Sequence, residues 1–323
     1  MLKKIVQNII AAVLVSCLFY SGLFAQKAKP DTVNAGIYVT SIHDIDFKDQ
    51  EYTVDFWLWL KYKNQDFDFQ KNLEVPLAKS IEKSFSMPDT LPDGTIYLLM
   101  KLQCVMQDSW KINNFPFDQQ TLRLSIESAA DDSKSLVFKV DTLGKHYDPK
   151  FTLHGWNIDS FLVMTGRKSY ETTFGDPSLT KPHTEYSAFK VRMVVHRDAT
   201  SLFWKLFIGM YVAFLIAYVS FYIHADGIDS RFSLSVGALF AVIGNKYIVD
   251  ASLPESLTFT LVDTLHGVTL FFILLVVTAT AFSLQLVKRG KIKQAKKFDM
   301  LVAQVLLIIY LALNFYYISQ AIS

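Results

Sequence analysis

A chain of 323 residues with a formal net charge of +2 and no Lys/Arg-rich stripe interleaved with aromatics lacks the electrostatic footprint of a nucleic-acid partner. Only two cysteines occur, Cys17 and Cys104, so removal of an N-terminal leader leaves no possible internal disulfide. The 51% hydrophobic content is concentrated in the C-terminal part, which separates a polar first domain from a second one rich enough in long apolar runs to cross a membrane.

In chain order, Lys3 and Lys4 precede an apolar stretch from Ile5 to Phe19, and Ser21-Gly22-Leu23-Phe24-Ala25 ends on a small residue. This pattern predicts a signal peptide over residues 1–25. An additional span and a lipoprotein cleavage box at Leu14-Val15-Ser16-Cys17 are the alternatives. Residues 26–198 are expected to form an all-β, immunoglobulin-like sandwich. Val54, Phe56, Leu58 and Leu60 alternate with Asp55, Trp57 and Trp59, and Phe189, Val191, Met193 and Val195 alternate with Lys190, Arg192, Val194 and His196. Ile96 to Leu102 and Thr121 to Ile126 read as further strands. Met87-Pro88-Asp89 and Leu91-Pro92-Asp93-Gly94 read as turns, and Phe174-Gly175-Asp176-Pro177 opens a hairpin tip.

Residues 199–323 read as an all-α, four-helix transmembrane domain with spans at about 201–223, 231–251, 257–287 and 300–318. The basic stretch Lys288 to Lys297 is expected inside the cell, which puts the β domain outside, in the periplasm where the source is Gram-negative, and predicts a multi-pass protein of the inner (plasma) membrane. The second span is less apolar. Ser233, Gly237, Phe240, Gly244, Tyr247 and Ala251 recur at steps of three and four and share one helix face. Such a face suits a water-filled pore, or close helix packing through small residues. Asp226 and Asp229 precede this span and could attract cations, although Asp229 also suits a helix N-terminus.

The sequence offers no metal-ligand cluster, nucleophile elbow or phosphate loop. Its histidines are scattered, and His154, His183 and His196 read as surface or packing residues. An enzyme is therefore not expected, and neither is a cofactor or a bound metal.

The segment Lys111-Ile112-Asn113-Asn114-Phe115-Pro116-Phe117-Asp118-Gln119-Gln120 resembles the signature loop of pentameric ligand-gated ion channels, the Cys-loop receptor superfamily. Arg231 to Pro254, followed by Glu255-Ser256-Leu257, resembles the family's second helix and outer linker without a gap. Val54-Asp55-Phe56 is similar to its second strand, and Arg197 to the basic residue before its first span. The likeness runs from about Gly36 to the C-terminus. Asp108 and Leu122 stand where the family disulfide would be, a departure common in its prokaryotic branch.

The resemblance implies a homopentamer in membrane lipid, conducting cations after an extracellular stimulus. Ser233, Gly237, Phe240, Gly244, Tyr247 and Ala251 would line the pore, with Phe240 as a hydrophobic gate. Asp229 and Asp226 would set cation selectivity, because Ile228-Asp229-Ser230 lacks the Pro-Ala insertion general among the family's anion channels. Phe115, Pro116, Phe117, Asp118, Arg197 and Pro254 would couple the domains, with Asp118 and Arg197 paired. The family's Trp-x-Pro-Asp stretch is missing. Trp57, Glu127, Asp131, Tyr170, Phe174 and Tyr186 are the candidate ligand residues; an aromatic cage for a small molecule, ordinary strand packing, and an acidic site for protons or a divalent cation all fit them. A membrane-anchored sensor that does not conduct is the competing function.

Overall fold

The computed structural model describes residues 29–141, 146–148, 153, 155–177, 179–224, 227–254 and 258–322. The expected leader, His154 and Asp226 lie outside the described residues.

The strands are β1 (Asp31–Asp46), β2 (Glu51–Tyr62), β3 (Leu73–Glu74), β4 (Ala78–Thr90), β5 (Ile96–Gln107), β6 (Gln119–Ser128), β7 (Leu136–Val140), β8 (Trp156–Tyr170) and β9 (Thr184–Arg197). They form a five-stranded sheet in the order β4–β5–β2–β1–β7 and a four-stranded sheet in the order β3–β6–β9–β8. Alternation in the sequence becomes alternation in burial. Tyr52, Val54, Phe56, Leu58, Leu60 and Tyr62 point inward from β2, toward Leu122, Leu124 and Ile126 of β6 and Val191, Met193 and Val195 of β9. Burying each large apolar side chain contributes roughly 1.5–3 kcal/mol, and the sheets close face to face over this layer. The Tyr52 hydroxyl crosses it to donate to the Arg123 carbonyl at 2.8 Å.

One turn assignment is corrected. Met87, Pro88 and Asp89 lie within β4, paired with Leu99, Leu98 and Tyr97. Because β4 is an edge strand, a residue without an N–H costs it no ladder bond on the open side. The second turn does form: the Gly94 amide donates to the Leu91 carbonyl at 2.9 Å, with Gly94 at φ 79°.

Four helices follow: α1 (Ala199–Val219), α2 (Ile228–Asp250), α3 (Leu261–Lys288) and α4 (Ile292–Ile322). A short 3-10 turn, Ser220–Tyr222, extends α1. Each is long and apolar enough to cross a bilayer, and only 22–33% of each apolar window is buried inside the chain, so most of that surface faces outward. Two starts differ from the hydropathy reading. Helix α3 begins at Leu261 because Thr260 caps it, accepting from the Asp263 amide at 3.2 Å while Asp263 accepts from the Thr260 amide at 2.9 Å. Helix α4 begins at Ile292, well before the apolar run, because Lys293, Lys296 and Lys297 are good helix formers that hydropathy excludes.

The bundle is joined by polar contacts as well as packing. Asn245 of α2 donates to the Leu206 carbonyl of α1 at 3.1 Å, and its Oδ1 lies 3.1 Å from His266 Nε2 of α3. Gly209 makes room for this approach, since a Cβ there would sit 3.4 Å from the Asn245 amide nitrogen. Tyr211 of α1 donates to Asn314 of α4 at 3.2 Å, and the hydroxyls of Thr269 in α3 and Tyr310 in α4 are 2.9 Å apart. Arg231 of α2 pairs with Asp299 of α4 at 2.7 Å.

Candidate functional site: the domain junction, the α2 face and the hairpin tip

The loop from β5 to β6 lies at the base of the sandwich. Asp108 and Arg123 close it as an ion pair, with Arg123 Nε donating to Asp108 at 2.9 Å. A charged clasp thus joins Asp108 to the residue after Leu122, the other position at which the resemblance implies a disulfide end. Gln120 holds the loop from within, donating to the Lys111 carbonyl at 2.7 Å and accepting from the Lys111 amide at 3.1 Å. The Phe115–Pro116 peptide is cis, and Phe115 is buried.

Asp118 accepts from Arg197 Nε at 3.2 Å through one oxygen and from Gln120 at 2.7 Å through the other. Both partners of the ion pair are withdrawn from water; burial pushes the Asp118 carboxyl up and the Arg197 guanidinium down, while each charge partly offsets the shift of the other. The guanidinium also lies against three aromatic rings, with its carbon 4.2 Å from the centre of Trp156, 4.4 Å from Phe47 and 5.1 Å from Phe115. Such rings stabilise a desolvated cation.

This loop reaches the helices by two routes. The Asn113 carbonyl accepts from the Leu261 amide at 2.8 Å, at the first residue of α3. Phe117 packs on Phe203 of α1 with ring centres 5.5 Å apart. Asn113 and Phe203 were not singled out from the sequence; an Asn beside a turn proline was the only local signal for the first, and nothing local distinguishes the second. Among the described residues, Leu261 and Thr258, past the outer linker, hydrogen-bond across the junction to Asn113, while Pro254 is buried and has no N–H to give.

Helix α2 buries Arg231, Ser235, Ala238, Val242 and Val249 against its own subunit. At about 100° per residue, Ser233, Gly237, Phe240, Gly244, Tyr247 and Ala251 project from the opposite side, and all are exposed. Phe240 is 67% and Tyr247 76% exposed. The polarity of this span is therefore divided. Ser235 turns inward to the Arg231 carbonyl at 3.0 Å, Asn245 joins α1 and α3, and Lys246 pairs with Asp250 at 2.5 Å and Asp263 at 2.7 Å. Asp229 lies exposed in the first turn of α2, whereas Arg231 is directed away from the exposed face and neutralised by Asp299.

At the β8–β9 tip, Tyr170, Phe174 and Tyr186 form a mutually edge-on triad with ring centres 5.5, 5.8 and 6.2 Å apart. Tyr170 donates to buried Glu127 at 3.1 Å, and Ser125 donates to its other oxygen at 3.1 Å. The Lys168 ammonium already lies 5.6 Å from the Tyr170 ring centre. Four candidate ligand residues therefore converge. Asp131 instead accepts from Ser128 at 2.7 Å in a local turn, and Trp57 sits on the outer face of the other sheet beside Phe85 and Lys101. Within one subunit the structure does not bring Trp57 to the triad.

Burial raises the Glu127 carboxyl above its ordinary range, with hydrogen bonds from Tyr170 and Ser125 opposing the shift, and burial beside Glu127 pushes the Tyr170 hydroxyl up to about 12. A carboxyl raised by folding favours the fold while protonated, and that contribution is lost as pH rises through its folded pKa. Glu127→Gln fixes the neutral state. The variant should melt with the wild type in acid and a few degrees above it at neutral pH. An equal offset at both pH values, measured by thermal denaturation, would remove the titration from the account.

No family model matches the chain. It aligns at 22% identity over 249 residues with a proton-gated ion channel of Gloeobacter violaceus, covering 71% of this chain and 66% of that protein. It aligns at 21% identity over 294 residues with the human gamma-aminobutyric acid receptor subunit rho-3, covering 83% and 61%. A glutamate-gated chloride channel of Drosophila melanogaster matches at 24% identity over 183 residues, covering 56% and 38%. The chain thus spans about two thirds or less of the length of these relatives, whose names are those of channels and receptors rather than enzymes. Among the described residues, nine strands in a sandwich followed by four helices long and apolar enough to cross a bilayer make the chain a multi-pass membrane protein, and these relatives make it similar to the pentameric ligand-gated ion channels of the Cys-loop receptor superfamily.

Proposed function

We propose that this chain is the subunit of a homopentameric, cation-permeable channel of the inner membrane, opened by a stimulus at its periplasmic β domain. The observation that carries this reading is the α2 face. A helix that presents Ser233, Gly237 and Gly244 outward, opposite its buried side, needs something other than lipid to cover them. Five copies around an axis supply a water-filled lumen. The leader over residues 1–25 agrees with export of the β domain, and the basic segment from Lys288 to Lys297 with an inside location for the α3–α4 loop.

Asp229 supports cation passage, because five exposed carboxylates ring the inner mouth while Asp299 cancels the charge of Arg231. The stimulus acts at the triad and Glu127, where rings and a carboxyl favour an amine or a proton. Trp57 reaches this site from the neighbouring subunit. Protein reconstituted in planar bilayers should give currents under a pH and small-amine screen, with reversal potentials following the cation gradient. At 4 Å a carboxylate attracts a monovalent cation by about 1 kcal/mol in water. Asp229→Ala should therefore lower the cation-to-anion permeability ratio by roughly tenfold, since five copies act together. Wild-type reversal potentials that follow chloride would reverse the selectivity, and a stable monomer by mass in detergent would end the pore model.

A further inference from the structure

Inside the bundle, His266 of α3 is fully withdrawn from water, at 0% exposure, with the ring of Phe207 from α1 against it at 5.6 Å between centres. Its two nitrogens belong to a chain of three close contacts. Nδ1 lies 2.8 Å from the Val262 carbonyl of its own helix. Nε2 lies 3.1 Å from the side-chain amide of Asn245 on α2, and the other end of that amide lies 3.1 Å from the Leu206 carbonyl of α1. Each separation is that of a hydrogen bond.

The hydrogens along this chain can be counted. Both of its ends are carbonyl oxygens, which only accept. A neutral imidazole carries one N–H, and the Asn245 amide has its N–H groups at one end only. With that end toward Leu206, the ring must donate through both nitrogens to fill the other two contacts. With the amide reversed, the ring donates to Val262 and accepts from Asn245, but two oxygens then face each other at Leu206. Every neutral arrangement leaves one contact of the three without a hydrogen, at a buried site where that is costly. The imidazolium completes all three, whichever way neutral His266 would compromise. The charged groups that act on the ring are Lys246 and Asp250 of α2 and Asp263 of α3, one cation against two carboxylates. One turn along α3, Thr269 bonds to Tyr310 of α4, with Tyr211 of α1 beside it. Asn245 is half-buried and next to exposed Gly244, so its amide gives a proton a polar route inward.

We propose that His266 is a proton-binding site whose charged form ties α1, α2 and α3 into the packing seen here. A proton from water supplies the third hydrogen. Its loss leaves one contact unmade and loosens the node that holds α2 at Asn245, between Phe240 and Tyr247 in the chain. The site is separate from the aromatic triad and Glu127, and it concerns the packing of one subunit, so it does not depend on ion conduction.

Nitrogen NMR of the full chain in lipid, with isotope-labelled histidine, tests it, because the ring nitrogens of imidazolium and neutral imidazole give distinct signals. His266→Gln identifies the signal among the seven histidines. At mildly acid pH His266 should be an imidazolium whose ring hydrogens exchange slowly with water, as its burial requires. Asn245→Leu keeps the side chain's bulk but removes the acceptor at Nε2, and should turn His266 neutral at the same pH. Melting temperatures should follow. The advantage of the wild type over Asn245→Leu should grow as pH falls through the wild-type titration and shrink above it, because only the wild-type fold gains from the proton. A neutral His266 in the wild type at mildly acid pH overturns the proposal. So do an imidazolium that persists in Asn245→Leu and a melting offset that does not change with pH. Should the variants fail to assemble, the wild type decides alone: an exchange-protected imidazolium among its histidine signals supports the site, and the lack of one overturns it.

Discussion

Replacing Phe240 with Ala or Ser should produce a channel that conducts without stimulus. Phe240 is 67% exposed and lies midway along the face of α2 opposite its buried side. Five phenyl rings at that level would offer a permeating ion only apolar surface. Hydration would be lost with no ligand in its place, and a constriction of that kind empties of water and blocks current without any charged group. Ser or Ala widens the ring, and Ser adds a hydroxyl that holds water. Basal current should rise at least about tenfold, which needs a barrier change of only ~1.4 kcal/mol. Because Phe240 is not part of the subunit's buried core, thermal stability should change little. A well-assembled variant with unchanged basal current would move the gate elsewhere, and a collapse of stability would mean that Phe240 packs against a neighbouring helix.

Asp118→Ala and Arg197→Ala should each reduce opening severely, and their effects should not add. Each substitution leaves a buried charge facing its former partner's site, which costs about 3–5 kcal/mol when a buried pair is broken on one side. The pair lies between the signature loop and the strand that runs directly into α1, so the loss falls on the elements that touch the helices. The double variant should recover about 0.5–3 kcal/mol relative to the sum of the singles. Dose-response curves and melting temperatures on all four proteins complete the cycle. Strict additivity in both would show that the 3.2 Å contact carries no coupling. Arg197→Lys is informative beside them: Lys keeps the charge but loses the planar contact with Phe47 and Trp156, so a partial loss would measure the contribution of the rings.

The strands and helices were legible because they are periodic. Val54, Phe56, Leu58 and Leu60 alternate in sequence and in burial, and the six residues assigned to one face of α2 share that face in the structure. Features that depend on distant partners were not legible from pattern alone. Asp108 and Arg123 are 15 positions apart, and neither is unusual in its own surroundings. Asn113 meets Leu261 only because two domains dock there. The Asp118–Arg197 contact, 79 positions apart, was expected from family likeness rather than from composition or spacing. Tyr170 and Tyr186 converge because β8 and β9 pair with Lys168 opposite Tyr186, whereas Trp57 belongs to the other sheet and shares no local signal with them. Polarity in the second span was visible, but its division was not. Ser235 and Asn245 serve contacts inside the subunit, and only three-dimensional packing separates them from Ser233 and Gly244.

The hydrogen bonds of α4 constrain how that outer helix moves. Asp299, Tyr310 and Asn314 lie on one stripe of it, and each holds a different helix: α2 through Arg231, α3 through Thr269 and α1 through Tyr211. A slide by one helical turn, about 5.4 Å, would unmake all three at once and leave their polar groups without partners. A smaller slide would stretch them together. The outer helix therefore behaves as a detent rather than a spring: it holds one axial setting until a displacement large enough to release every catch, and a disturbance arriving at its outward face reaches the start of α2 through Arg231 as a step.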